Sequence, residues 1–265
     1  MPDLTELLKR WWKQVFFSVL LATVAVGVLV FIQPPQYLSV STAVPASAFT
    51  SDKSKIFNEN IQALYSSLGT PDDLDLVTGT ARLDTVYQAV SDHFNLADHY
   101  KTKEKGEAAR VKSALLLKKN SRVMKSEYGE LKVKVWDTDK NLAPQLANAI
   151  TDQLQAIHTR LQNNGNEVIL AGLLKRKAEL MKQADSSDHS MIREQLVLYE
   201  RYIGEYELML DTRPPALIIT EKAKASVYPD RPKRIQVIAA TALLSFLFAL
   251  LVALVLDRKK TSLDH

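Results

Sequence analysis

The sequence predicts an α+β membrane protein. Two transmembrane helices flank an α/β base with a mixed sheet, and an antiparallel helical hairpin, a coiled-coil arm, protrudes from that base. Three observations predict it. Residues 15–32 and 235–256 contain no charged side chain. Between them lie runs of β-forming residues at 36–44, 131–136 and 216–221. Residues 192–210 place apolar side chains at steps of 4, 3, 4, 3 and 4.

The apolar segments set the topology. A 22-residue helix rises roughly 33 Å at ~1.5 Å per residue, enough for a hydrocarbon core of ~30 Å. A buried helix of a soluble protein is the competing reading, and uncharged apolar runs of this length weigh against it. Ala46-Ser47-Ala48 resembles a signal-peptide cleavage site, but it lies more than a dozen residues past the first run. That run also exceeds the ~7–15 residues of a signal-peptide core, so it reads as an uncleaved anchor. The chain then divides into a tail at 1–14, a span at 15–33, a body at 34–234, a span at 235–256 and a tail at 257–265. Within the body, the base takes 34–164 and 211–234, and the arm about 165–210.

Two spans put both tails on one side. Lys9, Arg10 and Lys13 precede the first span, Arg258, Lys259 and Lys260 follow the second, and no Lys or Arg lies between residue 33 and Lys53. Basic flanks stay inside, so both termini are expected in the cytoplasm and the body in the periplasm. Arg231, Lys233 and Arg234 sit on the opposite flank, which is tolerated because long domains translocate largely regardless of charge. Without the tails and spans, residues 34–234 carry 28 Lys and Arg against 26 Asp and Glu. So balanced a body has no electrostatic footprint for nucleic acid. There is no cysteine, which excludes disulfides, thiol catalysis and thiolate zinc sites.

In the body, Gln36–Val44 alternates loosely and reads as a strand. Ile56, Phe57, Ile61, Leu64 and Leu68 predict a helix over 54–68, capped at Ser51 or Ser54 and stopped at Gly69. Thr70-Pro71-Asp72-Asp73 is turn chemistry. Leu83, Val86, Tyr87, Val90 and Phe94 predict a helix over 81–96, and a shorter one follows at 107–118. Leu131–Trp136 alternates strictly, as a half-buried strand does.

A helix from about 141 carries an apolar stripe of Leu142, Leu146, Ile150, Leu154, Ile157 and Leu161. Asn163-Asn164-Gly165-Asn166 predicts a kink or break, after which Leu170, Leu173, Leu174, Leu180 and Met181 resume helical spacing. Residues 185–190 form a turn. Ile192, Leu196, Tyr199, Ile203, Tyr206 and Leu210 then form a heptad seam that needs a partner helix. A helix over 141–184 would rise ~66 Å and its return only ~30 Å. The first half of the long helix is therefore expected beside the sheet, and its second half in the hairpin. Strands 131–136 and 216–221 would run in the same sense, toward the membrane, and could lie parallel. A four-helix body without a sheet is the alternative.

The search for chemistry returns little. No phosphate-cradling G-x-x-x-x-G-K-[ST] loop occurs. His93 and His99 lack metal-site spacing and read as solvated helix-end residues. Neither His158 nor His189 belongs to a triad pattern. No catalytic residue, cofactor site or metal site is expected. The spans do carry a packing signal. Thr241, Ser245, Ala249 and Ala253 repeat every four residues, and Thr23 and Gly27 do likewise, as small faces that let helix backbones approach.

Two stretches carry a family resemblance. Residues 128–150 (YGELKVKVWDTDKNLAPQLANAI) and 214–229 (PPALIITEKAKASVYP), continued by Arg231-Pro232, resemble the chain-length determinant family, the Wzz-type polysaccharide co-polymerases. The first is similar to the family's strand, acidic turn and helix, the second to its final strand and its approach to the second span. With the terminal spans and the arm, the resemblance follows the chain nearly from end to end. It implies regulation of O-antigen, capsule or exopolysaccharide chain length, in the bacterial inner membrane. It also implies a ring-like homo-oligomer, a separate Wzy-type polymerase as partner, and contact with the nascent glycan. No kinase domain follows the second span, which implies the kinase-free branch, and the short chain implies a stubby arm. The second span also lacks the glycines frequent in relatives.

On this reading the membrane-entry segment, with Tyr228, Pro229, Arg231, Pro232, Lys233 and Arg234, holds the second span against neighbours. The three cations equally suit anchorage to lipid headgroups. An adaptor for polysaccharide export, an activator of a separate tyrosine kinase and a sensor ectodomain are the competing functions.

Overall fold

The computed structural model describes residues 4–46, 73–184 and 189–263. The expected helix over 54–68 and most of the turn at 185–190 lie outside them. The elements run α1 (Leu4–Ile32), β1 (Tyr37–Pro45), α2 (Asp73–Thr80), α3 (Asp84–His93), α4 (Leu96–His99), α5 (Glu107–Lys119), β2 (Ser121–Lys125), β3 (Leu131–Asp137), α6 (Leu142–Ala184), α7 (His189–Thr212), β4 (Leu217–Glu221) and α8 (Arg234–Leu263). They form two compact units. One holds α1, α8 and the segments leading into them; the other holds the sheet and α2 to α7.

In the first unit, α1 and α8 pack along each other. Only 11% of each 18-residue apolar window is buried. Phe17, Leu21, Leu29, Leu244, Phe248 and Leu251 all stand more than 60% exposed. A soluble protein would bury such faces; these helices need lipid around them.

In the second unit, the four-stranded sheet has the order β2-β3-β1-β4. β1 pairs antiparallel with β4, Ala43 opposite Ile219 and Pro45 opposite Leu217, with an irregularity between Thr42 and Ala43. β2 pairs antiparallel with β3, Val123 opposite Val133. β3 and β4 are not neighbours, because β1 lies between them. β1 has a second hold on the β4 side: its buried Ser39 and Ser41 hydroxyls donate to the carbonyls of Lys224 (2.9 Å) and Glu221 (3.4 Å).

The core lies on the face of β3 that carries Leu131, Val133 and Val135. Leu74, Val86, Leu96, Leu117, Leu146, Ile150 and Leu154 close over it, all fully buried. Truncating one such Leu or Ile to Ala costs about 2–5 kcal/mol. The expected helix over 81–96 is two helices, because Asn95 adopts a left-handed φ of 49° that the small polar side chain of asparagine tolerates. α2 occupies residues read in part as a turn, with Leu74 and Val77 buried one helical turn apart.

α6 is one helix of 43 residues, so Asn163–Asn166 does not break it. A mid-helix glycine costs only ~1 kcal/mol, and Asn166 is buried against α7. Leu161, expected on the inner stripe, is 55% exposed, and Leu174 and Met181 also point outward. The inner face moves because α6 changes partner, from the sheet to α7. Past Leu154 it passes through His158 and Asn166, then Leu170, Leu173, Lys177 and Leu180.

Candidate functional site

Among the described residues, three surfaces and one buried cluster stand out as candidate sites. Along the membrane pair, Ala249 and Ala253 are buried against Val15, with Trp11, Val19 and Leu254 beside them. Thr241 and Ser245 continue the same half-buried row. Thr23 is half-buried on α1, and its hydroxyl oxygen has no partner. Gly27 is half-buried, but a Cβ added there meets no atom within 4 Å. One end of the pair is closed by Asp257, whose Oδ1 accepts from the Arg10 guanidinium and from the Trp11 indole N–H, each at 3.2 Å. Near the other end the Arg234 guanidinium sits 4.8 Å above the Phe31 ring.

The membrane-entry segment is folded against the end of α1. Gln36 and Arg231 form a β-bridge, in which the Gln36 N–H donates to the Arg231 carbonyl at 2.9 Å. The Asp230 N–H donates to the Gln36 carbonyl at 2.8 Å. The Arg231–Pro232 peptide is cis. Beside these residues lies a recess of about 630 Å³ lined by Phe31, Tyr37, Asp230, Arg231, Lys233 and Arg234, with prolines 35, 229 and 232 in its walls. Tyr228, 80% exposed, lies outside it.

The seam residues Ile192, Leu196, Tyr199, Ile203, Tyr206 and Leu210 are all buried or half-buried. Ile203 and Met209 are the deepest on α7, and Leu180 and Asn166 are buried on the part of α6 past residue 165. The Asn166 amide lies 3.8 Å from the Met209 sulfur, and Lys177 pairs with Glu200 at 2.9 Å. Burial in the seam, then the neighbouring Glu205, raise the Tyr206 phenol above its ordinary value. Where α7 ends, Asp152, Thr159, Arg160, Asn163, Glu167 and Arg213 line a polar groove of about 530 Å³.

The two stretches that carry the family resemblance are joined in the structure. The Asn148 carboxamide makes a two-way clamp on the backbone of Ala223, accepting from its N–H at 2.8 Å and donating to its carbonyl at 3.4 Å. Thr159 Oγ1 accepts from the Ala216 N–H at 3.1 Å. A side-chain amide and a hydroxyl on α6 thus hold the backbone on either side of β4, where the ladder does not supply partners.

Sequence reasoning missed the buried cluster. Asp137, fully buried at the end of β3, accepts from the Tyr100 hydroxyl at 3.1 Å and contacts His99 Nε2 at 2.9 Å. Burial, then the charge of Asp137, push the Tyr100 phenol far above its ordinary value. His99 is therefore held by a carboxylate rather than simply solvated. The adjacent His99-Tyr100 pair and the lone buried carboxylate at a strand end were the available signal, but they are 37 residues apart. Among the described residues no three His, Asp or Glu side chains gather as a metal site would require.

No family model and no curated protein matches the sequence. Among solved structures the chain is similar to a full-length bacterial polysaccharide co-polymerase, at 12% identity and a TM-score of 0.41, over 98% of each chain. It is also similar to a fragment of WzzB, a polysaccharide co-polymerase from Salmonella Typhimurium. There the identity is 12% and the TM-score 0.31, over 74% of this chain and 100% of that one.

Proposed function

We propose that this protein is a bacterial inner-membrane polysaccharide co-polymerase that regulates the chain length of O-antigen, capsule or exopolysaccharide without catalysing a reaction. The observation that carries this reading is the Asn148 clamp. It unites the two stretches, 128–150 and 214–229, on which the sequence resemblance rests, in a chain whose two long apolar helices flank its body. A regulator of this kind needs no active site. It needs a surface repeated around an oligomer and presented to a Wzy-type polymerase and its growing glycan.

Several features support that use. Val168, Ile169, Met191, Val197 and Leu198 expose apolar surface on the outside of the hairpin, which suits lateral contact between copies. The groove beside Arg160 and Arg213 offers amides, carboxylates and guanidinia, the groups that hydrogen-bond vicinal hydroxyls. In this reading the small faces of the spans hold α1 and α8 together, and the membrane-entry segment positions each copy against the next. Both termini are cytoplasmic and the body periplasmic.

Deletion of the gene, followed by electrophoresis of the surface polysaccharide, tests the proposal. The expected result is a lost or shifted modal length with polymer still present. Loss of all surface polymer would favour the export adaptor instead, and an unchanged modal length would overturn chain-length control.

A further inference from the structure

The recess at the membrane-entry segment combines features that ordinary interfacial anchoring does not require. Three cations, Arg231, Lys233 and Arg234, line it against one carboxylate, Asp230. Among the described residues, neither Lys233 nor Arg234 has an ion-pair partner. Arg234 is not a free-swinging chain: its guanidinium is stacked on Phe31 at 4.8 Å, a contact that holds its charge at the wall of the recess. The two segments that line it are tied together by three backbone hydrogen bonds between Gln36 and residues 230–231. Prolines 35, 229 and 232 stiffen the rim. The volume of about 630 Å³ falls within the roughly 300–1,000 Å³ typical of small-molecule sites. Location completes the picture. The apolar windows of the two spans end at Ile32 and begin at Arg234, so the recess lies at headgroup depth. Tyr37 in its wall is of an aromatic type enriched there.

We propose that this recess is a built binding site for the phosphate of an anionic lipid headgroup. Lys233 and Arg234 supply the charge, and the Phe31 and Tyr37 rings face the upper acyl chain. Snorkelling lysines and arginines at helix ends ordinarily meet many headgroups in turn. Here the cations converge on one volume, so a single phosphate can meet several of them at once. The inference does not depend on the chain-length reading, because it concerns only the purified chain and lipid.

The experiment is native mass spectrometry of the full-length chain released from detergent micelles containing phosphatidylglycerol or phosphatidylcholine. The parent should retain phosphatidylglycerol in preference to phosphatidylcholine. A Lys233→Gln/Arg234→Gln chain should bind phosphatidylglycerol on the order of twenty-fold more weakly, taking roughly fivefold per cation near a membrane surface. A Lys9→Gln/Lys13→Gln chain loses the same charge at the other end of the spans and should bind as the parent does. Lys233→Arg/Arg234→Lys keeps both charges and should also bind like the parent, which separates lost charge from lost folding. Equal weakening in the two glutamine variants would reduce the effect to surface charge and overturn the proposal. So would equal retention of the two lipids, or a loss of binding in the charge-keeping variant. Displacement of the lipid by an equal concentration of inorganic pyrophosphate would show a phosphate site without lipid selectivity, and would overturn the lipid as its occupant.

Discussion

The membrane pair and the α6–α7 hairpin are both antiparallel two-helix pairs, and they are built by opposite rules. In the membrane pair the α8 contact row is small: Ala249 and Ala253 meet Val15 and Val19 on α1, and Thr241 and Ser245 are half-buried in the same row, while Phe17, Leu21 and Phe248 face outward. In the hairpin the contact row is large, with Ile203, Met209, Leu180 and the two seam tyrosines, and the Lys177–Glu200 ion pair beside them. Lipid tails are as apolar as leucine, so a span gains nothing by hiding leucine and gains close backbone contact by hiding alanine. Water reverses that preference, because each apolar side chain removed from it contributes. The two pairs teach that helix pairing in one chain is read from the residue at the contact only after its solvent is known.

Truncation should break the contrast most sharply. Ile203→Ala, at a seam position 7% exposed, should cost about 2–5 kcal/mol by chemical unfolding of the full chain in detergent. The matched Val15→Ala in the spans should cost much less, since lipid replaces the lost contacts. Equal costs would end the contrast. Enlargement is next. Ala249→Leu should push α8 from α1 at a cost of about 1–3 kcal/mol. Because the chain has no cysteine, a Val15→Cys/Ala253→Cys pair reports the separation. Its oxidative cross-linking should slow about tenfold when Ala249→Leu is added.

A smaller effect is expected at Asn166, the amide buried in the hairpin with only a 3.8 Å contact to sulfur. Asn166→Leu should raise the melting temperature, corresponding to about 1 kcal/mol, while loosening the register that a polar seam residue specifies. A fall instead would show that the amide is structural there. The smallest effect concerns surface charge. The Arg110 guanidinium holds the Asp92 carboxyl below its ordinary value. A lowered carboxyl stabilises the fold above the ordinary carboxylate range, and that contribution is lost as pH falls through the lowered value. Arg110→Gln should therefore destabilise slightly at neutral pH, with the difference from the parent vanishing in acid.

Much of this was legible in the residues, for physical reasons that differ by element. The spans were plain because twenty uncharged positions have few other uses. The seam from Ile192 to Leu210 was plain because steps of 4 and 3 fit only a helix against a helix. β3 alternates without exception. α6 was harder: its inner face changes partner near His158, so a single stripe drawn through Leu161 runs off the contact. β2 escaped notice because only Val123 and Met124 are apolar between two cations, although Gly129, at φ 72°, marks the turn that pairs it with β3. The recess and the Asp137 cluster were only half visible. Their cations and their His-Tyr pair lie in sequence, but the partners Phe31, Tyr37 and Asp137 come from distant segments.

One carboxylate sets an order of events. Asp257 accepts from both Arg10 and Trp11, more than 240 residues earlier in the chain. At ~5–20 residues per second, ribosomes need roughly 10–40 s to make the stretch from Ile32 to Arg234. During that interval α1 must hold its place in the bilayer with no helix beside it. The leading anchor is accordingly self-sufficient in apolarity, and the final residues of α8 act as the latch that closes last.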